Sequence, residues 1–286
     1  VRSSPACFEC GLKQCARIIQ LSGCDEEQKD EILKRLSRLK DRLDLNEPPG
    51  TYTSRLLLRT MEFLGVPDPF AQIKQEQNRR AGEMAERLDE EIERTEEPLR
   101  RALMVSSAGN VIDVGPGHSF DIKGLLAALG FAHDDSPLLL RRLARAERVV
   151  YILDNAGEVL FDRLVLKRLP KVRLTIVARS SPILNDVTVE EAQKLGLDKL
   201  GRIIGTGSRY LGIDFKTVSD EFRKVYQEAD VVIAKGHANF ESLVDSGRDG
   251  FYLLTAKCEL VAERLGVRLG DMVCFYSPGR NSTGNK

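Results

Sequence analysis

The 286-residue chain carries 43 Lys and Arg against 43 Asp and Glu, which leaves no net charge to attract nucleic acid or an anionic membrane. Its apolar fraction of 42% is enough for a packed core and argues against global disorder. The apolar runs are strand-sized, short of the ~20 residues of a membrane span, and the scattered Phe and Tyr, with no Trp, give no stacking platform for single strands.

Along the chain, Ser4-Pro5 reads as an N-cap and first helical position. That puts Cys7 in the first turn, with Cys10 on the same face. Asp25 to Asn46 sets Ile32, Leu36, Leu39 and Leu43 on one stripe, an amphipathic helix that Pro48-Pro49-Gly50 would end. Thr53 to Leu64 is predicted as a further helix, closed by Gly65-Val66-Pro67-Asp68-Pro69. Phe70 to about Thr95 is another, with Met84, Leu88 and Ile92 on one face. The Glu and Arg between those residues read as a solvated face with i,i+4 pairs.

After about residue 105 the pattern changes. Ser119 to Ala128 and Pro137 to Ala146 read as helices, followed by a strand from Val149 to Leu153 and a helix from Val159. A strand over 172–178, a helix from Val187 to Leu195 and a short strand from Arg202 to Gly205 come next. A helix from Thr217 to Gln227, a strand over 231–234, and final strands at Phe251 to Thr255 and Met272 to Tyr276 complete the chain. The alternation predicts a three-layer α/β domain with a largely parallel sheet over 105–286. The helical stretch 1–104 would be a cap or bundle against it. The opening Val1-Arg2-Ser3-Ser4-Pro5 has no hydrophobic signal region, so the expectation is a soluble, cytoplasmic protein without a membrane or nucleic-acid partner. Oligomeric state stays open, since the amphipathic stripes fit either an internal contact or a partner.

Three segments share one design. The strand ending at Leu153 runs into Asp154-Asn155-Ala156-Gly157-Glu158, the strand over 172–178 leads to Ile183-Leu184-Asn185-Asp186, and the strand over 231–234 leads to Lys235-Gly236-His237-Ala238-Asn239. In an open parallel sheet such strand ends are where ligands gather. A lone Asp or Asn there also serves simply as a helix cap. Together, Asp154, Asn155 and Asp186 form a set of hard oxygen donors of the kind Mg²⁺ or Mn²⁺ accepts. Lys235 adds a positive point charge, which suits a phosphate ester. The ion would polarise a phosphoryl oxygen and activate water, while Lys235 balances the developing charge. Without a cation, the close carboxylates would repel and one would protonate.

Other chemistries lack their signatures. There is no Walker A segment, no G-x-G-x-x-G after a first strand and no G-x-S-x-G elbow. Gly205-Thr206-Gly207 could face a phosphate or be plain turn chemistry. His118, His133 and His237 are too scattered for a zinc motif, and a surface histidine is the simpler reading of His237. The six cysteines stand at 7, 10, 15, 24, 258 and 274. A disulfide framework does not suit a chain of this length without a secretion signal, and a structural zinc site normally wants a second close pair. Cys7 and Cys10 are therefore either spectators or a second metal or redox site, with Cys15, Cys24 or Cys258 as additional ligands.

The same segments resemble the hallmark motifs of the DUF89 family, the metal-dependent damage-control phosphatases. The match runs through Leu153-Asp154-Asn155-Ala156-Gly157-Glu158, Ile183-Leu184-Asn185-Asp186 and Lys235-Gly236-His237-Ala238-Asn239-Phe240-Glu241, with Gly109-Asn110-Val111-Ile112-Asp113 and Ala256-Lys257-Cys258 in support. Cys7-x-x-Cys10 looks like the prokaryotic subfamily. The resemblance implies a helical N-terminal region on an α/β/α Rossmann-like domain, and phosphatase activity on sugar phosphates or damaged phosphometabolites. It assigns Asp154, Asn155 and Asp186 to a divalent metal (Mg, Mn, Co or Ni) and Glu158, Asn185, Lys235 and Asn239 to the substrate. His237 departs from the Gln expected in many relatives, a change that bears on specificity. Asp154, Asp186 and Lys235 are the expected catalytic residues, with metal-activated water preferred over a carboxylate nucleophile. Two rival readings remain: a metal- or redox-responsive binding protein centred on the cysteines, and a transferase using the same oxygen site.

Overall fold

The computed structural model describes residues 1–40, 44–109 and 122–279. Its seven strands are β1 (His133–Asp134), β2 (Arg148–Ile152), β3 (Arg173–Ala178), β4 (Arg202–Gly205), β5 (Val231–Lys235), β6 (Gly250–Thr255) and β7 (Met272–Ser277). They form one sheet in the order β1-β7-β6-β5-β2-β3-β4, parallel throughout except for the antiparallel pair β6–β7. From β2 the chain moves outward through β3 to β4, then returns to β5 on the other flank of β2. The carboxyl ends of β2 and β5 therefore lie at a topological switch point, where an open α/β sheet leaves a crevice.

The central strands read as unbroken apolar runs because both faces are covered. Val149, Tyr151, Ile233, Phe251 and Leu253 point to one side, while Val150, Ile152, Val232, Tyr252 and Leu254 point to the other. Nine helices flank the sheet among the described residues: α4 (Ala71–Glu93), α5 (Pro98–Ala108), α6 (Ile122–Ala128), α7 (Ser136–Leu143), α8 (Glu158–Leu166), α9 (Val189–Lys194), α10 (Asp220–Glu228), α11 (His237–Leu243) and α12 (Glu259–Leu265). Leu88, Leu103, Leu139, Leu160 and Ala192, from α4, α5, α7, α8 and α9, pack on the first face. Phe222, Phe240 and Val261, from α10, α11 and α12, pack on the second.

The remaining helices, α1 (Pro5–Leu21), α2 (Glu26–Ser37) and α3 (Pro49–Leu64), close around a core of their own. Phe8, Ile18, Leu36, Leu56 and Leu57 meet there, joined by Ile183 and Leu211 from the α/β part. A side chain at Gly11 would come within 2.9 Å of Leu56 Cδ1, so glycine is what lets α1 and α3 approach.

Several sequence expectations change. The helix predicted to run to Asn46 ends at Ser37, and 41–43 lie outside the described residues. Pro48-Pro49-Gly50 opens α3 instead of ending the helix before it, because proline in a first turn has no needed N–H to lose. Helix α5 and the short β1 carry no signal strong enough to predict. The Ser119 end of the following helix, His118 and most of the Gly109–Asp113 segment lie outside the described residues. Among the described residues, no helix is long and apolar enough to cross a membrane.

Leu57 is wholly buried in the N-terminal core. Leu57→Ala should destabilise the fold by about 2–5 kcal/mol, read as a lower denaturant midpoint; an unchanged midpoint would mean that this core adds nothing to global stability.

Candidate active site

The loop after β2 and the loop after β3 are tied side by side through their backbones. Val187 N donates to Asp154 O at 2.9 Å, Ala156 N donates to Asn185 O at 2.8 Å, and Asn155 bridges Asp186 in antiparallel fashion. These bonds bring Asp154, Asn155 and Asp186 together although they come from different strand ends. Neither Asp154 nor Asn155 caps α8 with its side chain. The N-cap is Gly157 at φ 79°, and its amide is taken by Asn78 Oδ1 of α4 at 2.7 Å.

Asn155 Nδ2 donates both to Asp154 Oδ2 at 2.7 Å and to Glu158 Oε1 at 2.8 Å, which leaves its carbonyl oxygen for a ligand. Burial, then the Asp186 and Glu158 charges, push the Asp154 carboxyl well above the ordinary range. Burial also raises Glu158, against the pull of Lys235, and raises Asp186, against Arg179. Three buried acids thus crowd one spot. At the same place the backbone is forced: Leu184 adopts φ 46°, a left-handed conformation that a side chain resists.

Beneath these acids lie two buried cations. Arg179, at the end of β3, donates to Asp186 Oδ2 at 2.7 Å, to Gly212 O at 2.6 Å and to Asn239 Oδ1 at 3.0 Å. Lys235 Nζ donates to Asp162 Oδ1 at 2.8 Å and to Ser106 O at 2.9 Å, and stands 3.7 Å from Glu158 Oε2. Burial alone would lower the Lys235 pKa, but the Asp162 and Glu158 charges raise it. Asp162 Oδ1 also accepts from Ser106 Oγ and Tyr151 Oη, at 2.6 and 3.0 Å.

A cavity of about 800 Å³ opens above the acids, between α1, α3 and the strand ends. Asp154, Asn155, Glu158, Asn185 and Asp186 all line it. Lys235 and Asn239, expected at the substrate, do not. Their side chains are 1% and 0% exposed, and Asn239 is held by Arg179, Leu153 O and Lys235 O. The lysine that does line the cavity is the exposed Lys257, whose charge reaches Asp154 and Glu158. It stands in the Ala256-Lys257-Cys258 motif, but no strand-end pattern marked its role. Arg179 was equally hidden; its only sequence signal is a cation directly after a buried strand.

The remaining candidates divide. Cys7, Cys10 and Cys258 line the cavity, and so does His237, which is half-buried at the start of α11 and not a surface residue. Burial holds the His237 pKa down to about 4. Cys15 is buried in the N-terminal core, and the Cys24 thiol donates to Ile19 O, so neither joins the other thiols. Gly205-Thr206-Gly207 is turn chemistry: the Gly207 amide donates to Ser180 Oγ at 2.6 Å, away from the cavity.

Residues 3–273, nearly all of the chain, match the damage-control phosphatase ARMT1-like domain. The chain belongs to this family. It is 34% identical over 279 residues to a damage-control phosphatase of Pyrococcus horikoshii, covering 94% of this chain and 96% of the relative. A damage-control phosphatase of Archaeoglobus fulgidus is 34% identical over 288 residues, covering 96% and 98%. The crystal structure of a DUF89 family protein from Pyrococcus horikoshii superposes with a TM-score of 0.87 at 32% identity, covering 97% of this chain and 99% of the other.

Because Lys235 and Asp162 are both buried, removing one partner should cost more than removing both. Asp162→Ala is expected to destabilise by about 3–5 kcal/mol, with much of that recovered in Asp162→Ala/Lys235→Met. Urea denaturation of the single and double variants measures the difference, and strict additivity would remove the pair as the reason for these residues.

Proposed function

We propose that the chain is a divalent-metal-dependent phosphatase acting on small phosphomonoesters, sugar phosphates or damaged phosphometabolites; the relatives from Pyrococcus horikoshii and Archaeoglobus fulgidus are named damage-control phosphatases. The observation that carries this reading is the gathering of Asp154, Asn155, Glu158 and Asp186 at the buried end of one cavity that also admits Lys257. The donor set fits a hard divalent cation. It offers two carboxylates and the free Asn155 carbonyl; burial raises both carboxyl groups, and the charge of Asp186 adds to the rise at Asp154. Asp154, Asn155 and Asp186 would hold the ion, which when bound supplies Lewis-acid stabilisation of charge on a phosphoryl oxygen. Mg²⁺, Mn²⁺, Co²⁺ and Ni²⁺ all suit such oxygen donors, with availability deciding among them.

The chain's own groups do the rest. Asn155 orients Asp154 and Glu158 through its two N–H bonds, and Arg179 fixes the rotamer of Asp186. Glu158 lines the cavity with Oε1 held by Asn155, and burial favours a proton on its carboxyl group, which places it to act as a general acid. Lys257 meets the phosphate dianion as an accessible charge. Lys235 acts at one remove, balancing Glu158 and Asp162, and Asn239 acts through Arg179. Asn185 lines the cavity with a half-buried amide that can donate to a substrate oxygen. The cap formed by α1 and α3 bounds the substrate's size, which favours small esters.

Phosphate release from sugar phosphates and a chromogenic ester, by protein stripped of metal and resupplied with each ion, tests the reading. Release should require a divalent ion, and Asp154→Ala should lower kcat at least about 10²-fold while remaining folded. Lys257→Ala should raise KM about tenfold and change kcat less. Gly236→Ala should behave like the Asp154 variant, since a Cβ there would fall 1.9 Å from Asp154 Oδ2 on a backbone at φ 78°. No release with any ion would overturn the proposal and return weight to a cysteine-centred binding protein.

A further inference from the structure

We infer that the same cavity holds a second cation site of different chemistry, in which His237, Glu241 and Cys258 bind a zinc-like divalent ion and one thiol of α1, Cys7 or Cys10, takes the fourth position. The ligand atoms of His237, Glu241 and Cys258 lie within 4.8 Å of one another. Two ligands on one tetrahedral zinc stand roughly 3.5 Å apart, given bonds of about 2.0–2.3 Å. Small side-chain movements would therefore close the set. His237 and Glu241 are four residues apart on α11, a spacing that stacks them on one helix face. Cys258 is the N-cap of α12 and comes from the far end of β6.

Glu241 is the residue that most needs an explanation. The residue is 9% exposed and lines the cavity, and the Val1 ammonium beside it donates to its backbone carbonyl at 2.7 Å and not to its carboxylate, offsetting only part of the cost of burial. A carboxylate in that position is costly unless a cation or donor meets it. His237 is already oriented for such a role. Its Nε2 lies 2.8 Å from Thr255 O and 2.9 Å from the Lys257 amide nitrogen. The first contact needs a proton on Nε2, and the second needs a bare nitrogen. An ion on Nδ1 would select the first, giving the N–H to backbone carbonyl arrangement that commonly fixes metal-bound imidazoles.

The thiols face this group across the cavity. Cys7 and Cys10 line it from the first turns of α1, within electrostatic reach of Cys258. Sulfur and imidazole donors separate this site from the all-oxygen set at Asp154 and Asp186, so ions of different softness would sort between the two. An ion bound here would tie α1 to α11 and α12, and so fix the N-terminal helices over the cavity.

Cobalt(II) titration of the full chain carrying Asp154→Ala tests the site, because that background weakens the oxygen site and the readout needs no turnover. A thiolate-to-cobalt charge-transfer band, with one ion retained through gel filtration, is the expected result. Cys258→Ser should abolish the band in folded protein, and Glu241→Gln, nearly isosteric, should lower cobalt affinity at least about tenfold. Cys7→Ser/Cys10→Ser should weaken both band and affinity. The absence of a band would overturn the inference. So would a band that survives Cys258→Ser, or one lost only in the Cys7 and Cys10 variant, which would confine the ion to α1. The outcome is independent of whether any phosphate ester is hydrolysed.

Discussion

Three buried carboxyl groups share one end of the cavity, and the arrangement depends on two buried cations beneath them. Arg179 answers Asp186 and Lys235 answers Asp162 and Glu158. Like charges this close drive one another towards protonation in a low-dielectric setting. The pairing limits that penalty without removing it, since all three acids remain raised. Burial therefore outweighs the pairing at all three acids, and the divalent ion proposed for the site would offset it.

The strand ends, not the helices, give the acids their positions. Parallel strands β2 and β3 leave their loops adjacent, and reciprocal backbone bonds between Asp154 and Val187 and between Ala156 and Asn185 lock them together. The geometry also imposes backbone costs: Leu184 sits at φ 46° and Gly236 at φ 78°. At Gly236 no side chain fits, because the space a Cβ would occupy is filled by the Asp154 carboxylate. The glycine after β5 thus positions an acid after β2, across the switch point of the sheet.

Much of this was legible in the sequence because it is local. Residues that alternate between two covered faces read as continuous apolar runs, so β2, β3, β5 and β6 could be placed closely, and β4 to the residue. The polar residues after each run marked the strand ends that meet. What stayed hidden is nonlocal. Lys235 reads as an exposed strand-end cation until Asp162 and Ser106, from α8 and α5, are found around its ammonium. Asn239 reads as a ligand until Arg179 is found on its carbonyl. Conversely, Lys257 and Cys258 follow a strand without a distinctive pattern, yet both reach the cavity. Periodicity reports which residues are buried, but not which charges they are buried with.

The position of the cavity explains why the N-terminal helices belong to the site and are not only attached to it. Cys7 and Cys10 of α1 and Pro49 and Gly50 of α3 form part of its lining, and Ile183 and Leu211 of the α/β part enter the core of α1–α3. A displacement of these helices would therefore change the cavity and uncover apolar surface together. Substrate size, access of water to the acids and the stability of the cap are coupled through one interface. A residue far from the acids, such as Leu57 in that core, can reach the chemistry only by way of this shared wall.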